Sequence, residues 1–503
     1  MTDSSPQNSR RPEENTLCSS EWLWPLLIVA GGACCALTSR TFWIDECVTA
    51  EFANHPTLAE SWRAMRGYPE MQLPFYMLYM WAWANLAGTG EWVLRLAGLP
   101  WFLAGAGVFL AALGRRADGR WLLALVVGWS PFAWYYLNEA RVYASQLGLA
   151  LALVGALVQL RTGMERGEWS RGWWRAALWI WFLISGTSVL GAMWGFFFVM
   201  GFLLTAPRTE WRRLARLAPW SLAAVLAGLA GLASYYAWTL GAKPAPGATT
   251  AQTIVFVGYE LLGAAGLGPG RNDLRAGGAA VLRPFLLPLG LFACVVATVL
   301  WQGAQELWSR LGTRRYLLLA GCVATPLLFL CVLGWVTHFR VLGRHATPLL
   351  AVLLPVLALG LARLARGRWP GRGLAGAYLL LVLLSCLSLR LAARHEKDDF
   401  RSASFAARAA AAEGKTVWWN ANKFGADYYH VALETNLTRP APIWLVIKRT
   451  PEELRGLAPP DFIIMSKPDL YDEAGAVGAY AQEHGFRVVR RWPMITLLAR
   501  TPE

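Results

Sequence analysis

Two adjacent carboxylates, Asp45 and Glu46, close the segment Thr41-Phe42-Trp43-Ile44-Asp45-Glu46. They come directly after Trp22–Leu37, an apolar stretch without a charged residue. Ionised groups beside hydrocarbon are costly and are kept where they act or are paired. An acidic loop start that merely ends a helix would explain the pair in general. It explains Asp45 poorly, because Trp43 and Ile44 are apolar and the nearest cation, Arg40, is not at helical pairing distance. Three further polar groups recur between apolar runs: Asn138-Glu139-Ala140-Arg141-Val142-Tyr143, then Tyr259, Glu260 and Arg271, then Phe339-Arg340-Val341-Leu342-Gly343-Arg344-His345. Arginines beside carboxylates at membrane level suit an anionic lipid head group together with an acceptor that must lose a proton. Each group has a plainer alternative. Glu139 and Arg141 would pair with each other at a helix end, Arg344 and His345 would reach from a helix to the interface, and Tyr143 and Tyr259 would join a head-group aromatic belt.

The elements that must position these residues are membrane helices. The chain has 503 residues, of which 56% are hydrophobic and 16% charged, a balance that excludes an ordinary soluble protein. Its 28 Trp suit many interfacial anchors. The net charge of +15 lies almost wholly before Ala392, since the remainder is nearly balanced, so nucleic-acid binding is not what the basicity reflects. Apolar runs at about 22–38, 92–113, 121–137, 142–160, 174–188, 189–205, 218–240, 284–302, 316–336, 346–363 and 373–391 predict about eleven transmembrane helices. Basic clusters around Arg115/Arg116, Arg161–Arg175, Arg208–Arg216, Arg310–Arg315 and Arg363–Arg372 all fall on the cytoplasmic side only if Pro74–Ala87 does not cross. Residues 1–21 are then a cytoplasmic tail and 22–391 the membrane domain, with an outer loop over about 40–91. Residues 392–503 read as an extracytoplasmic α/β domain with strands at Thr416–Asn420, Ile443–Ile447, Phe462–Ser466 and Phe486–Arg490, alternating with helical stretches Ala421–Leu433 and Asp472–Glu483. The eight cysteines show neither metal-ligand spacing nor a disulfide framework. A transporter or flippase of an anionic lipid is the competing class. It should place ionisable groups near the bilayer midplane, and most of the runs have none.

In this order the residues resemble a C-type, polyprenyl-phosphate-sugar-dependent glycosyltransferase, similar to glycosyltransferase family 39, with protein O-mannosyltransferases and lipid A aminoarabinose transferases as relatives. The likeness covers about residues 20–365. It is carried by Trp43, Asp45 and Glu46 after the first helix, by Leu73-Pro74-Phe75-Tyr76, and by Gly90-Glu91 with Arg95-Leu96. It continues through Gly114-Arg115-Arg116, Ser130-Pro131 leading to Glu139-Ala140-Arg141 and Tyr143, and Arg344-His345 before Pro348. Three departures stand out. Gln72-Leu73 replaces the paired prolines before Pro74, no His-Tyr pair lies near Gly186–Ala192, and His345 stands where a Tyr follows the arginine.

The resemblance implies transfer of a sugar from a polyprenyl phosphate to a protein, lipid or glycan acceptor, with inversion, at the outer face of the cytoplasmic membrane. The expected catalytic residues are Asp45 as general base, with Glu46 and Glu139. The donor phosphate falls to Arg344, Arg141 and His345, with weaker substrate contacts at Tyr143, Tyr259 and Arg271. A divalent cation, Mg²⁺ or Mn²⁺, is expected at Glu139 if any cofactor is used. The partners implied are the lipid-linked donor, the membrane lipid and the acceptor, and no nucleic acid.

Overall fold

The structure, a computed structural model, describes residues 23–114, 119–239, 249–436 and 439–500. The expected cytoplasmic tail and the Arg115-Arg116 cluster lie outside the described residues. Among the described residues, seven helices are long and apolar enough to cross a membrane: Glu91–Leu113, Tyr143–Glu165, Pro219–Thr239, Arg271–Leu311, Thr313–Val336, Gly343–Arg366 and Trp369–Leu391. The shorter apolar helices Leu23–Ala36 and Val189–Thr205, and the 17-residue helix Arg171–Thr187, occupy three more of the expected runs. The run at 121–137 is not one helix. Pro131 has no N–H to continue the ladder, so Arg120–Gly128 ends and Ser130 caps a new helix, Pro131–Leu137, by accepting from the Ala133 N–H.

Close helix contacts rest on glycine. A Cβ on Gly105 would collide with the Gly148 carbonyl, and one on Gly303 with the Val356 carbonyl, so these backbones touch directly. Pro74–Ala87 has 14 residues and is about 21 Å long, less than the ~30 Å hydrocarbon core. It buries Tyr76, Met77, Met80 and Ala84 in the protein core, and its neighbours include the helix Ile44–Ala53.

The C-terminal part carries a sheet of five strands, β1 (Val417–Asn420), β2 (Ile443–Leu445), β3 (Phe462–Ser466), β4 (Phe486–Trp492) and β5 (Ile495–Arg500), in the order β2-β1-β3-β5-β4. β1 lies parallel to β2 and β3, with Val417 opposite both Ile443 and Phe462, whereas β5 runs antiparallel to β3 and β4. Four strands stand where the alternation predicts them. β5 is an addition, joined to β4 through Pro493 and a Met494 held at φ 58°, a turn without the Asn-Gly type of signal that marks hairpins. The expected helix over Ala421–Leu433 shrinks to Lys423–Tyr428, and that over Asp472–Glu483 to Ala476–Glu483.

This sheet domain sits on the segment that carries the paired carboxylates. The Tyr429 hydroxyl accepts from the Phe42 N–H at 3.0 Å, shares a hydrogen bond with Thr41 Oγ1 at 2.9 Å, and donates to the Glu91 carboxylate. Arg401 pairs with the same Glu91 at 2.9 Å. From the other side Arg40 donates to the carbonyls of Leu389, Arg390 and His395. The segment between the first apolar helix and Asp45 is therefore held on one side by the sheet domain and on the other by the end of the last apolar helix and the residues after it.

Candidate active site

Asp45 and Glu46 lie in the first turn of the helix Ile44–Ala53, where the helix dipole favours negative charge. Successive helical residues point about 100° apart, so the two side chains meet different surroundings. Glu46 turns inward. Arg95 Nε and Nη2 grip its two oxygens at 2.8 Å each, and both side chains are fully buried. The Ala140 N–H adds a bond at 2.9 Å, and the Trp43 N–H a long one at 3.4 Å. Arg95 spends its remaining donors on the carbonyls of Thr38, Arg40 and Thr41. Every donor in this arrangement holds the turn before Asp45 in place.

Asp45 turns toward the surface. Its Oδ2 accepts from Arg344 Nη1 at 2.8 Å, and the pair keeps 26% and 20% of its side-chain surface accessible. Arg141 Nη1 donates to the Asp45 carbonyl at 3.2 Å, to Thr49 Oγ1 at 3.0 Å and to Glu70 Oε1 at 3.2 Å. Burial alone would raise the Asp45 carboxyl, but Arg344 and Arg141 outweigh it and hold it below its ordinary range. Glu46 is likewise held low, against its burial, by Arg95 and Lys397.

The turn Asn138–Val142 fixes three consecutive residues to three different partners. Glu139 Oε1 accepts from Lys397 Nζ at 2.8 Å, the Ala140 N–H binds Glu46, and Arg141 binds beside Asp45. Glu139 and Arg141 thus do not pair with each other. Lys397 also faces the rings of Tyr135 at 4.9 Å and Trp43 at 5.5 Å. Several buried polar atoms around this point have no hydrogen-bond partner: Glu139 Oε2, Trp43 Nε1, Arg141 Nε and Arg344 Nε. Buried polar atoms of this kind are free to bond an ordered water, an ion or a bound group.

Lys397 occupies one side of Glu139, where a cation is expected. Its ammonium already supplies the positive charge that a Mg²⁺ or Mn²⁺ ion would bring, and no group of three His, Cys, Asp or Glu side chains able to hold a metal occurs among the described residues.

Arg344 belongs to the 3₁₀ turn Gly343–Leu349 that leads into Leu350–Arg366. Glu260 accepts from the Gly343 N–H at 3.1 Å and pairs with Arg271, so Arg271 fixes the turn one residue before Arg344. Arg271 in turn donates to the Tyr136 hydroxyl at 2.6 Å and lies 4.1 Å over the Tyr135 ring. Tyr143 stands beside Tyr136 with ring centroids 5.0 Å apart and lies 5.9 Å from the Arg344 guanidinium.

His345 and Tyr259 are placed differently from the expectation. The Nδ1 of His345 accepts from the Leu342 N–H at 3.1 Å and its ring stacks on Phe339, so the imidazole is neutral and serves the turn. Tyr259 donates to the Ala265 carbonyl at 3.2 Å and packs on Phe256, closing its own loop. The expected residues thus divide: Asp45, Arg344, Arg141 and Tyr143 converge, Glu139 stands at their edge with Lys397, and Glu46, Arg271, His345 and Tyr259 build the walls.

Three residues of the site have no counterpart in the sequence reading. Glu70 sits in the expected outer loop, just before Pro74, and an acid placed there was a usable signal. Lys397 and Lys467 belong to the segment read as a separate domain. Lys467 adopts a left-handed backbone, φ 43°, and pairs with Asp398 at 2.5 Å in a buried contact whose positive charge also bears on Asp45. The sheet domain therefore contributes charge to the site itself.

No family model matches the chain, and no curated protein does. Among solved structures, ArnT from Cupriavidus metallidurans in the apo state is similar at 16% identity and a TM-score of 0.54, over 96% of this chain and 99% of that one. ArnT from the same organism bound to undecaprenyl phosphate is similar at 16% identity and a TM-score of 0.49, over 95% of this chain and 98% of that one. From the first apolar helix to the terminal sheet, this chain has the multi-pass C-type glycosyltransferase fold of ArnT.

Proposed function

We propose that the protein transfers a sugar from a polyprenyl-phosphate donor to a hydroxyl- or amine-bearing acceptor, at the membrane face on which Asp45 lies. The observation that carries this reading is the open Asp45–Arg344 pair, with Arg141 behind it and both arginine Nε atoms unpartnered. A phosphate between the two guanidiniums would take up those donors in the bidentate geometry arginine favours.

The same pair sets the order of events. With Arg344 on its oxygen, Asp45 is a weak base. A donor phosphate that draws Arg344 toward itself removes that stabilisation and adds negative charge nearby, so Asp45 becomes more basic when the donor is in place. The acceptor O–H or N–H then passes its proton to Asp45 while its oxygen or nitrogen bonds to the anomeric carbon. The C–O bond to phosphate breaks, and polyprenyl phosphate leaves as an anion stabilised by Arg344 and Arg141. Attack from the side opposite the phosphate inverts the anomeric centre. Glu139, held by Lys397 and with one oxygen unpartnered, would orient the acceptor. The active face is extracytoplasmic in this reading, because Arg161, Arg310, Arg315 and Arg366 gather at the opposite ends of the same helices.

The test is consumption of polyprenyl-phosphate-linked sugars by the purified protein. Release of polyprenyl phosphate with transfer of the sugar to a nucleophile is the expected outcome. Transport of the intact lipid-linked sugar across vesicles, with no bond broken, would favour a flippase instead.

A further inference from the structure

Between the Arg344 turn and the face opposite Asp45, the helices line a partly open cavity of about 620 Å³. It begins beneath the Arg344 turn at Leu349 and follows Leu350–Arg366 to its end, a path of about 26 Å in a hydrocarbon core of ~30 Å. Its walls are apolar, with Phe197, Phe198, Leu319, Val323 and Val356 among them. Its charged residues are confined to one end. There four arginines, Arg161, Arg310, Arg315 and Arg366, meet two carboxylates, Glu165 beside Arg161 and Glu306 beside Arg310. Tyr316, also at that rim, stacks on the half-exposed Trp308 with ring centroids 5.8 Å apart, a pair suited to the head-group level. The basic helix Arg208–Leu217 follows Val189–Thr205 at the same face, with Arg213 4.3 Å over the Trp169 ring.

We infer that this cavity is a binding site for an anionic glycerophospholipid of the leaflet on that face, its acyl chains in the apolar channel and its phosphate at the arginine rim. Position and charge select this occupant over the donor's own tail. A polyprenyl chain entering from Arg344 would reach the rim with an uncharged hydrocarbon end, for which four arginines offer nothing. A phospholipid entering from the rim matches both ends of the cavity: cations for the phosphate, and apolar walls for the chains. The lipid would fill space among the helices that carry Tyr143 and Arg344 and so tie them together below the site.

The experiment uses the full-length protein, delipidated in neutral detergent, with dioleoylphosphatidylglycerol and dioleoylphosphatidylcholine as probes. The unfolding midpoint and the lipid retained in native mass spectra are read out. The phosphatidylglycerol should raise the midpoint by about 3 °C or more and remain bound one per chain, and the phosphatidylcholine should do neither. Arg315→Gln with Arg366→Gln should abolish the difference between the lipids. Ala320→Trp, which leaves the rim charges and narrows the channel, should abolish retention. Equal effects of the two lipids on the unaltered protein would overturn the inference. So would displacement of the phosphatidylglycerol by an equimolar polyprenyl phosphate, which would give the channel to the donor. Neither result bears on whether sugar is transferred.

Discussion

Two carboxylate–arginine pairs stand one residue apart in this chain and differ in almost every respect. Glu46–Arg95 is sealed from solvent, doubly hydrogen-bonded and surrounded by backbone partners. Asp45–Arg344 is joined by one bond, keeps about a quarter of its carboxylate surface accessible, and leaves arginine donors unused. The first is a fixed joint, in which removing either member strands a buried charge. The second is a contact that a competing anion can open. In the proposed function, adjacent acidic residues thus divide the labour between holding a turn and performing chemistry, and position on the helix is what separates them.

The largest expected effect breaks the sealed pair. Glu46→Ala leaves the Arg95 guanidinium buried without its counter-charge, a loss of about 3–5 kcal/mol. The variant should show low yield and a lowered unfolding midpoint, and its activity should fall with the amount of folded protein. A well-folded Glu46→Ala with selectively lost turnover would assign Glu46 a chemical part and erase the contrast.

Next comes the open pair. Arg344→Lys keeps the charge but not the planar fork, and should lower kcat/KM for the donor by roughly 10-fold or more, the worth of one charged hydrogen bond of about 1.5–3 kcal/mol. Folded yield should be retained, since the pair is partly exposed. Unchanged donor kinetics would reduce Arg344 to an interfacial anchor.

pH separates the pairs again. Glu46 is held below its unfolded value, so its contribution to stability is full above about 4.5 and disappears as pH falls through the lowered folded value. Asp45 follows the same sign, and in addition its titration should appear in the kinetics. The acid limb of kcat/KM for the donor, which reports the free enzyme, should lie below that of kcat, because bound phosphate draws Arg344 away. Coincident limbs would mean that the donor leaves the Asp45–Arg344 pair closed. The smallest effect is a null one. With Lys397 on Glu139, exhaustive chelation of divalent cations should leave turnover unchanged, and loss of activity restored by Mg²⁺ or Mn²⁺ would reinstate a metal there.

Much of this was legible beforehand, for identifiable reasons. Hydrophobic runs and basic clusters locate membrane helices because burial in lipid demands an uninterrupted apolar stretch, and the break at Ser130-Pro131 is a local backbone effect within such a run. Asp45 and Arg344 could be singled out because charges at the edge of apolar segments are costly. The roles of Glu46, His345, Tyr259 and Arg271 could not be read. They depend on Arg95, 49 residues away, for Glu46, on Glu260 and the distant Tyr136 for Arg271, and on turn geometry for the other two, which no spacing rule encodes. Lys397 and Lys467 were hidden for a further reason. They lie in a near-neutral segment whose composition announces a separate domain, whereas its docking through Tyr429 and Arg401 brings it onto the site.

The contrast between the two pairs rests on Asp45 as the group that takes the acceptor's proton. The most direct measurement is single-turnover transfer by Asp45→Asn, with donor already bound, alongside donor affinity and the unfolding midpoint. The Asn side chain keeps size and an acceptor oxygen but cannot hold the proton, so the transfer rate should fall by roughly 100-fold or more. Donor affinity and folding should stay close to those of the unaltered protein. Transfer at the unaltered rate by Asp45→Asn would contradict the account and move the base elsewhere in the site.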